Sequence, residues 1–531
     1  MPSIVQINVT QTVGAAPATL QSSGALVSQG ATNTAPGTVT LLTQLSDLTG
    51  LLNGSAAITS AIKSGGVVTV TTTAPHGLTI GDNYWITIAG VSPAGYNGSF
   101  DCTITGTSTF TYVLKGSALS TGSGGAWTLE DVAELNQMAT TWFAQGSGLA
   151  VSVLELGAGS VNDGVAALTS YLNAYPNSDY TPGATGYFYA YCVPREWDGN
   201  ANFLTLLQSY EGLSAKTYFF ITTTLATYAS YTNLMKCAVT LIESPAFGAW
   251  PANVLTAIAW SANIVTAATT TAHGVLPGQW FTISGCTPSG YNGTFQALQG
   301  TAGTTLLYAL PTDPSAESVL GTLVASTYAN AGATSGEFSI ASLMYRLLNY
   351  APSAANLVAP FAFGYVVGVT PFPTRGQGAT LAALKAANVN IIGTGAEGGI
   401  SNTIILWGTA EDGHDLTYWY SVDWMQINQD EFIANAIING SNNAANPLYY
   451  DQNGINRLLA VAQGVANRAI AFGLALGPVT VTAVPFVQYV TQNPSDYPAG
   501  IYRGLGVSYT PQRGFIEIFF NINVTDFPAA G

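Results

Sequence analysis

Charge is what this sequence lacks most. Twelve Lys and Arg stand against 27 Asp and Glu in 531 residues, so that only 7% of the chain is charged and the net charge is −15. An acidic chain with so few cations has no electrostatic footprint for nucleic acid or for an anionic membrane surface. Most of its exterior must then be neutral polar or covered, which favours assembly into something larger. The four cysteines, Cys102, Cys192, Cys237 and Cys286, are dispersed with no Cys-x-x-Cys pair. That spacing argues against a disulfide framework or a zinc cage. No stretch reaches the ~18–20 uninterrupted apolar residues of a membrane span. The opening MPSIVQINVTQ has neither a basic region nor a long apolar run, so a soluble, unexported chain without direct membrane insertion is expected.

Catalytic signatures are also missing. There is no G-x-S-x-G elbow and no phosphate-cradling G-x-x-x-x-G-K-[ST] loop. Gly393, Gly395 and Gly398 spell G-x-G-x-x-G after the strand-like NVNII, but the following SNTIILWG reads as a second strand, which predicts a hairpin and not a dinucleotide site. The densest polar cluster is Glu411, Asp412, His414 and Asp415, read as a solvated turn between strands. No catalytic residue, metal ligand or cofactor is expected, and the chain is not expected to be an enzyme.

What is present is apolar material, 48% of the residues, enough for several cores. The last stretch, VSYTPQRGFIEIFFNINV, puts Ile516, Ile518, Phe520, Ile522 and Val524 on one side at period two, with Glu517, Asn521 and Asn523 on the other. A long strand of this kind at a chain end would be an aggregation template if left unpaired. Near the other end, SIVQINV places Val5, Ile7 and Val9 on one face. Both segments are read as strands that another partner receives.

Residues 66–100, GVVTVTTTAPHGLTIGDNYWITIAGVSPAGYNGSF, recur as 263–295, NIVTAATTTAHGVLPGQWFTISGCTPSGYNGTF. Each copy, with the strand that follows it, predicts an all-β module of roughly 60 residues, sandwich-like or barrel-like, at 64–127 and 260–325. His76, His273, Tyr96 and Tyr291 are read as residues serving the turns of these modules. Outside them, helix and strand alternate. Thr128 with Asp131 reads as a capping box opening a helix to about Gln145. Then come the strand LAVSVLEL, a helix near Gly164–Ala174, the strand TGYFYAYCV, a helix over Asn202–Glu211, the strand TYFFITT and a helix near Tyr228–Ile242. This alternation predicts an α/β core, a mixed sheet with flanking helices, into which the modules are inserted. Helices are predicted over Asp423–Ile438 and Gly454–Gly473, then strands through VTVTAVPFV and Tyr502–Tyr509.

The order DW-x-Q, PLYYDQNGINRLLAVAQGVANRAIAFG, GLGVSYTPQRGFIEIFFNINV resembles the C-terminal region of contractile-phage tail sheath proteins. TLEDVAELNQMATTWFAQGSGLAVSVLELG resembles their earlier α/β part. The resemblance does not extend to the two modules. It implies an N-terminal arm at 1–20, a sheath domain at 21–63 and 128–259 continuing through 326–420, a C-terminal assembly domain at 421–512 and a C-terminal arm at 513–531. The arms would donate strands to neighbouring subunits of a helical homopolymer around a tail tube, which contracts to drive the tube into the host envelope. Further partners implied are the baseplate and tail terminator proteins, and the location is the virion tail, with assembly in the host cytoplasm. Arg457 and Arg468, three helical turns apart on one side, are candidates for facing the tube. The alternative is a non-contractile virion structural protein, or a glycan-binding surface protein working through its duplicated modules.

Overall fold

A computed structural model describes residues 20–515, apart from 54, 65, 115–118, 147, 225–226, 242–247, 251, 276–279, 299–300, 302, 311, 325, 329–336, 373–377 and 396–401. Its centre is a six-stranded sheet in the order Cys237–Leu241, Tyr218–Thr223, Ala190–Cys192, Gly24–Ser28, Val151–Glu155, Val39–Leu42. The first five strands are parallel, and Val39–Leu42 runs antiparallel at one edge. Every residue of those five parallel strands is buried. Such strands are apolar on both faces because helices cover both. Leu26, Val153 and Phe220 point to one layer, formed by the helices Glu130–Ala144, Ser339–Leu348 and Leu416–Ser441. Their neighbours Val27, Leu154 and Phe219 point to the other, formed by Val161–Ala174 and Ala201–Ser209.

Three local expectations are corrected. The segment near Tyr228–Ile242 is not a helix but a short 3-10 turn, Tyr228–Tyr231, followed by the edge strand Cys237–Leu241. A fully buried strand has no alternation, so its run of apolar residues looks like a buried helix. Thr128 caps nothing, because it is paired with Thr87 in a β-ladder and Leu129 holds the N-cap position with no side-chain bond. A complete capping box occurs instead at Ser160 and Asp163. Finally, residues from Leu416 onward are helical, Asp415 accepting a hydrogen bond from the Thr417 amide as N-cap, where a strand-turn-strand was expected. The glycine-rich stretch is a hairpin: Ile391–Gly395 pairs antiparallel with Asn402–Leu406. Asn390 bridges Thr240 in parallel, so this hairpin starts on the free edge of the central sheet.

The repeated segments each form a six-stranded unit. The first is a closed barrel of Ala56–Ser64, Val67–Thr72, Thr109–Val113, Gly98–Gly106, Asn83–Ala89 and Ala126–Leu129. The second has the same strand order, and a bridge between Ala297 and Tyr308 brings its two outer strands together where Cys102 pairs with Tyr112 in the first. Both units begin before the expected 64 and 260, at Ala56 and Asn253. In each first strand a bulge sets the inward residues three apart, Ile58 and Ala61 or Leu255 and Ile258, which hides the period of two. His76 and His273 accept from the amides two residues on, Leu78 and Val275, and the Tyr96 and Tyr291 hydroxyls donate to the carbonyls of Ser120 and Ser315. No described helix is long and apolar enough to cross a membrane.

Candidate assembly surface

The C-terminal part is built on two long helices, Leu416–Ser441 and Gln452–Ala471, packed against each other. The second starts where Asp451 accepts from the Gly454 amide at 2.7 Å. Gly454 must lack a side chain, since a Cβ there would lie 1.9 Å from the Tyr449 carbonyl oxygen. From this helix Ile455, Ala462, Val465, Ala466 and Ala469 are buried, at the spacing of one helical face.

Against that helix lies an antiparallel ribbon, Ala475–Ala483 with Leu505–Pro511. Val481, Val507 and Tyr509 turn toward the core, while Thr480, Thr482, Ser508 and Thr510 are exposed. The returning strand is held in register by an aromatic cluster: the Tyr502 hydroxyl donates to the Val484 carbonyl and that of Tyr450 to the Ile501 carbonyl, each at 2.6 Å. Asp496 accepts from Tyr489 and pairs with Arg503, and these two bonds, the tyrosine's first, hold its carboxyl below the usual range.

Among the described residues the ribbon is two-stranded, so each strand has an outer edge of backbone donors and acceptors with no ladder partner. Neither strand carries a charged residue. Natural sheets guard exposed edges with charge, Pro or a bulge. Here the guard is confined to the bulge by Gly477–Pro478 and to Pro511 at the end of the second strand, and among the described residues the rest of both edges has no ladder partner.

Val5, Ile7, Val9, Ile516, Ile518, Phe520, Ile522 and Val524 lie outside the described residues. The chain reaches that point beside the ribbon: the Gln512 amide donates to the Leu474 carbonyl, Arg513 lies 4.7 Å over the Tyr418 ring, and Phe515 is 79% exposed. Arg457 and Arg468 are both engaged within the chain. The Arg457 guanidinium donates to the Pro447 carbonyl at 2.7 Å, and Arg468 stacks 3.8 Å over the Phe432 ring.

The four residues of the Glu411 cluster do separate jobs. Asp412 accepts from Trp419 Nε1 and contacts His414 Nδ1 at 2.9 Å, Asp415 caps a helix, and Glu411 is fully buried, its amide donating to the Cys237 carbonyl. A different group converges, and it was not legible in the sequence: Asp131, Glu134 and Glu196 bring carboxylate oxygens within 4.8 Å of one another. Burial raises the pKa of all three, with mutual repulsion adding to it for Asp131 and Glu196 while Arg195 opposes it at Glu134. Burial and repulsion thus favour protons held among these carboxyls. Asp131 and Glu134 sit one turn apart in a helix, but Glu196 comes from a separate turn, so no local spacing announces the group.

No family model matches the chain, and no curated protein matches it. Among solved structures it is similar to a chain in the cryo-EM structure of the anti-feeding prophage (AFP) baseplate, with 10% identity over 99% of each chain and a TM-score of 0.48. It is also similar to the sheath tail protein Lin1278 from Listeria innocua, with 10% identity over 93% of this chain and 96% of that one and a TM-score of 0.36. It is this chain's own residues that carry the function proposed for it.

Proposed function

We propose that the chain is a structural subunit of a contractile tail sheath, polymerising around a tail tube through donated terminal strands. The observation that carries this reading is the uncharged ribbon with two open edges, in a chain whose two terminal segments both have the pattern of half-buried strands. Each neighbour would lay a strand along an edge, the recurrent mode of β-augmentation. About eight backbone hydrogen bonds contribute ~4–12 kcal/mol. Ordering about ten residues costs ~10–20 kcal/mol. Burying Ile516, Ile518, Phe520, Ile522 and Val524 adds ~8–15 kcal/mol, enough to make donation favourable by a few kcal/mol. Contraction would then rotate and slide subunits as nearly rigid bodies while the donated strands stay paired.

The barrels are inserted in connections of the α/β body and would decorate the outside of such a tube. Deleting residues 514–531, or replacing Ile518 and Phe520 with Asp, tests the reading by electron microscopy of purified protein. The expected product is a folded subunit that does not polymerise, whereas full-length helical tubes from either variant would refute strand donation.

A further inference from the structure

Lys236 and Asp423 meet at the joint between the central sheet and the long helix, and the assembly reading makes no use of them. Lys236 immediately precedes the edge strand Cys237–Leu241, and Asp423 lies in the helix Leu416–Ser441. Both side chains are 0% exposed, with Nζ 3.5 Å from Oδ1. The surroundings are aromatic: Nζ is 4.6 Å from the ring centroids of both Tyr218 and Trp419.

The two oxygens of Asp423 are treated unequally. Oδ2 accepts from the hydroxyls of Tyr189 and Tyr218, each at 2.7 Å, whereas among the described residues Oδ1 has no hydrogen-bond partner. Nζ donates instead to the Tyr218 hydroxyl at 2.8 Å. A buried ion pair offsets its desolvation only when the remaining lone pairs are satisfied. This one leaves an oxygen bare with an amine beside it. Burial pushes the amine down and the carboxyl up, in both cases toward the neutral form. The neutral pair differs from the ion pair by one proton moved from Nζ to Oδ1, so no outside acid or base is required.

We propose that Lys236 and Asp423 condense into an intramolecular amide, with Tyr189 and Tyr218 acting on the oxygen that carries the developing charge. The lone pair of neutral Nζ forms a bond to Cγ of the protonated carboxyl. The carbonyl π pair moves onto Oδ2, where two phenol hydroxyls already point, an arrangement suited to a tetrahedral oxyanion. One Nζ proton passes to the Oδ1 hydroxyl, the Cγ–Oδ1 bond breaks, and Oδ1 leaves as water while the Oδ2 pair closes the amide carbonyl. Amine plus acid gives amide plus water, with no oxidant, metal or nucleotide. Fixed proximity in a site closed to solvent supplies the driving geometry. The product would tie the edge of the sheet covalently to the helix Leu416–Ser441, which packs against the helix that supports the ribbon.

Intact-mass measurement of the full-length chain in denaturant decides the matter without any variant. The expected mass is that of the sequence less one water, and digestion should yield a branched peptide joining the segments around Lys236 and Asp423. A chain at full sequence mass with no branched peptide would overturn the proposal. Asp423→Asn should instead lose one ammonia, and Asp423→Ala should return to full mass. In Tyr189→Phe, checked for native circular dichroism, the linked fraction should grow more slowly than in the unaltered chain; an equal rate would overturn the role given to that hydroxyl. The mass is read on unassembled subunits, so its outcome is independent of whether tubes form.

Discussion

Glu411 offers a sharp test of how this fold handles acid. It is 0% exposed, and among the described residues neither carboxyl oxygen has a well-formed hydrogen bond, the Val239 backbone lying near but giving only partial relief. The backbone around it is tightly tied: its amide donates to the Cys237 carbonyl at 3.1 Å, and its carbonyl accepts from the Asn233 amide and the Asn388 side chain at 2.9 and 3.0 Å. The residue therefore cannot swing out to water without breaking the joint between the sheet edge and the hairpin. Burial pushes its pKa well above the ordinary value, and the nearby Val239 backbone offsets this only in part. At pH values below the ordinary carboxyl range of ~4.3 the group is protonated in both folded and unfolded chains and costs nothing. As pH rises through that range the unfolded chain ionises and the native one does not. Stability then falls by about 1.4 kcal/mol per pH unit for as long as the buried carboxyl keeps its proton. Glu411→Gln removes this dependence while preserving shape. Its two unpaired amide donors carry a cost of their own, ~1–3 kcal/mol, which is constant with pH. The variant should therefore be the less stable form near pH 4 and gain on the unaltered chain by about 1.4 kcal/mol for each unit above ~5. Urea melts of both proteins at pH 4, 5, 6 and 7 measure this as a difference, so the titration of Asp131, Glu134 and Glu196 cancels. Parallel stability curves over that range would show that Glu411 is ionised in the native state and refute the reasoning.

Gly454→Ala should destabilise the chain by about 2 kcal/mol or more, because the added Cβ meets a backbone oxygen and not a movable side chain; a thermal melt checks this, and an unchanged midpoint would contradict it. Thr480→Lys with Thr482→Lys places two charges on the exposed face of the ribbon. Melting should stay within about 1 kcal/mol of the unaltered chain, each surface change being worth about 0.5 kcal/mol, while polymerisation measured by sedimentation is lost. Replacing residues 253–323 with a short Gly-Ser linker should leave the central sheet folded, since the second barrel has its own hydrophobic core; far-ultraviolet circular dichroism and a melt report this, and loss of the cooperative transition would show that the barrel is part of the body.

Much of the architecture was legible because the buried strands 151–155 and 218–223 are separated by amphipathic segments that bury Val165 and Leu168, or Phe203 and Leu206, on one side. The duplication was plain from self-similarity alone. Its true start was not, since a bulge displaces the inward residues of each first strand. The edge strand Cys237–Leu241 was misread because nothing in an all-buried run distinguishes 3.6 from 2 residues per repeat. At the candidate assembly surface the apolar faces and helices could be anticipated, but not the open edges, which depend on what else the sheet finds to pair with. One signal for the Lys236 pair was available and overlooked: a single cation in the otherwise apolar LMKCAVTLI has to find a buried partner.

The first barrel ends and the helix Glu130–Ala144 begins with no residue between them, Leu129 closing the strand and Glu130 opening the helix. Val132 packs against the barrel core and against the sheet core at once. The barrel is thus cantilevered, not tethered: it has no swivel. In an ordered array of this chain every first barrel would keep the same bearing as its subunit, and any turn of the subunit would sweep the barrel through the same angle. Whatever such barrels met would encounter a lattice with fixed pitch, whose spacing is set by the body and changes only when the body moves.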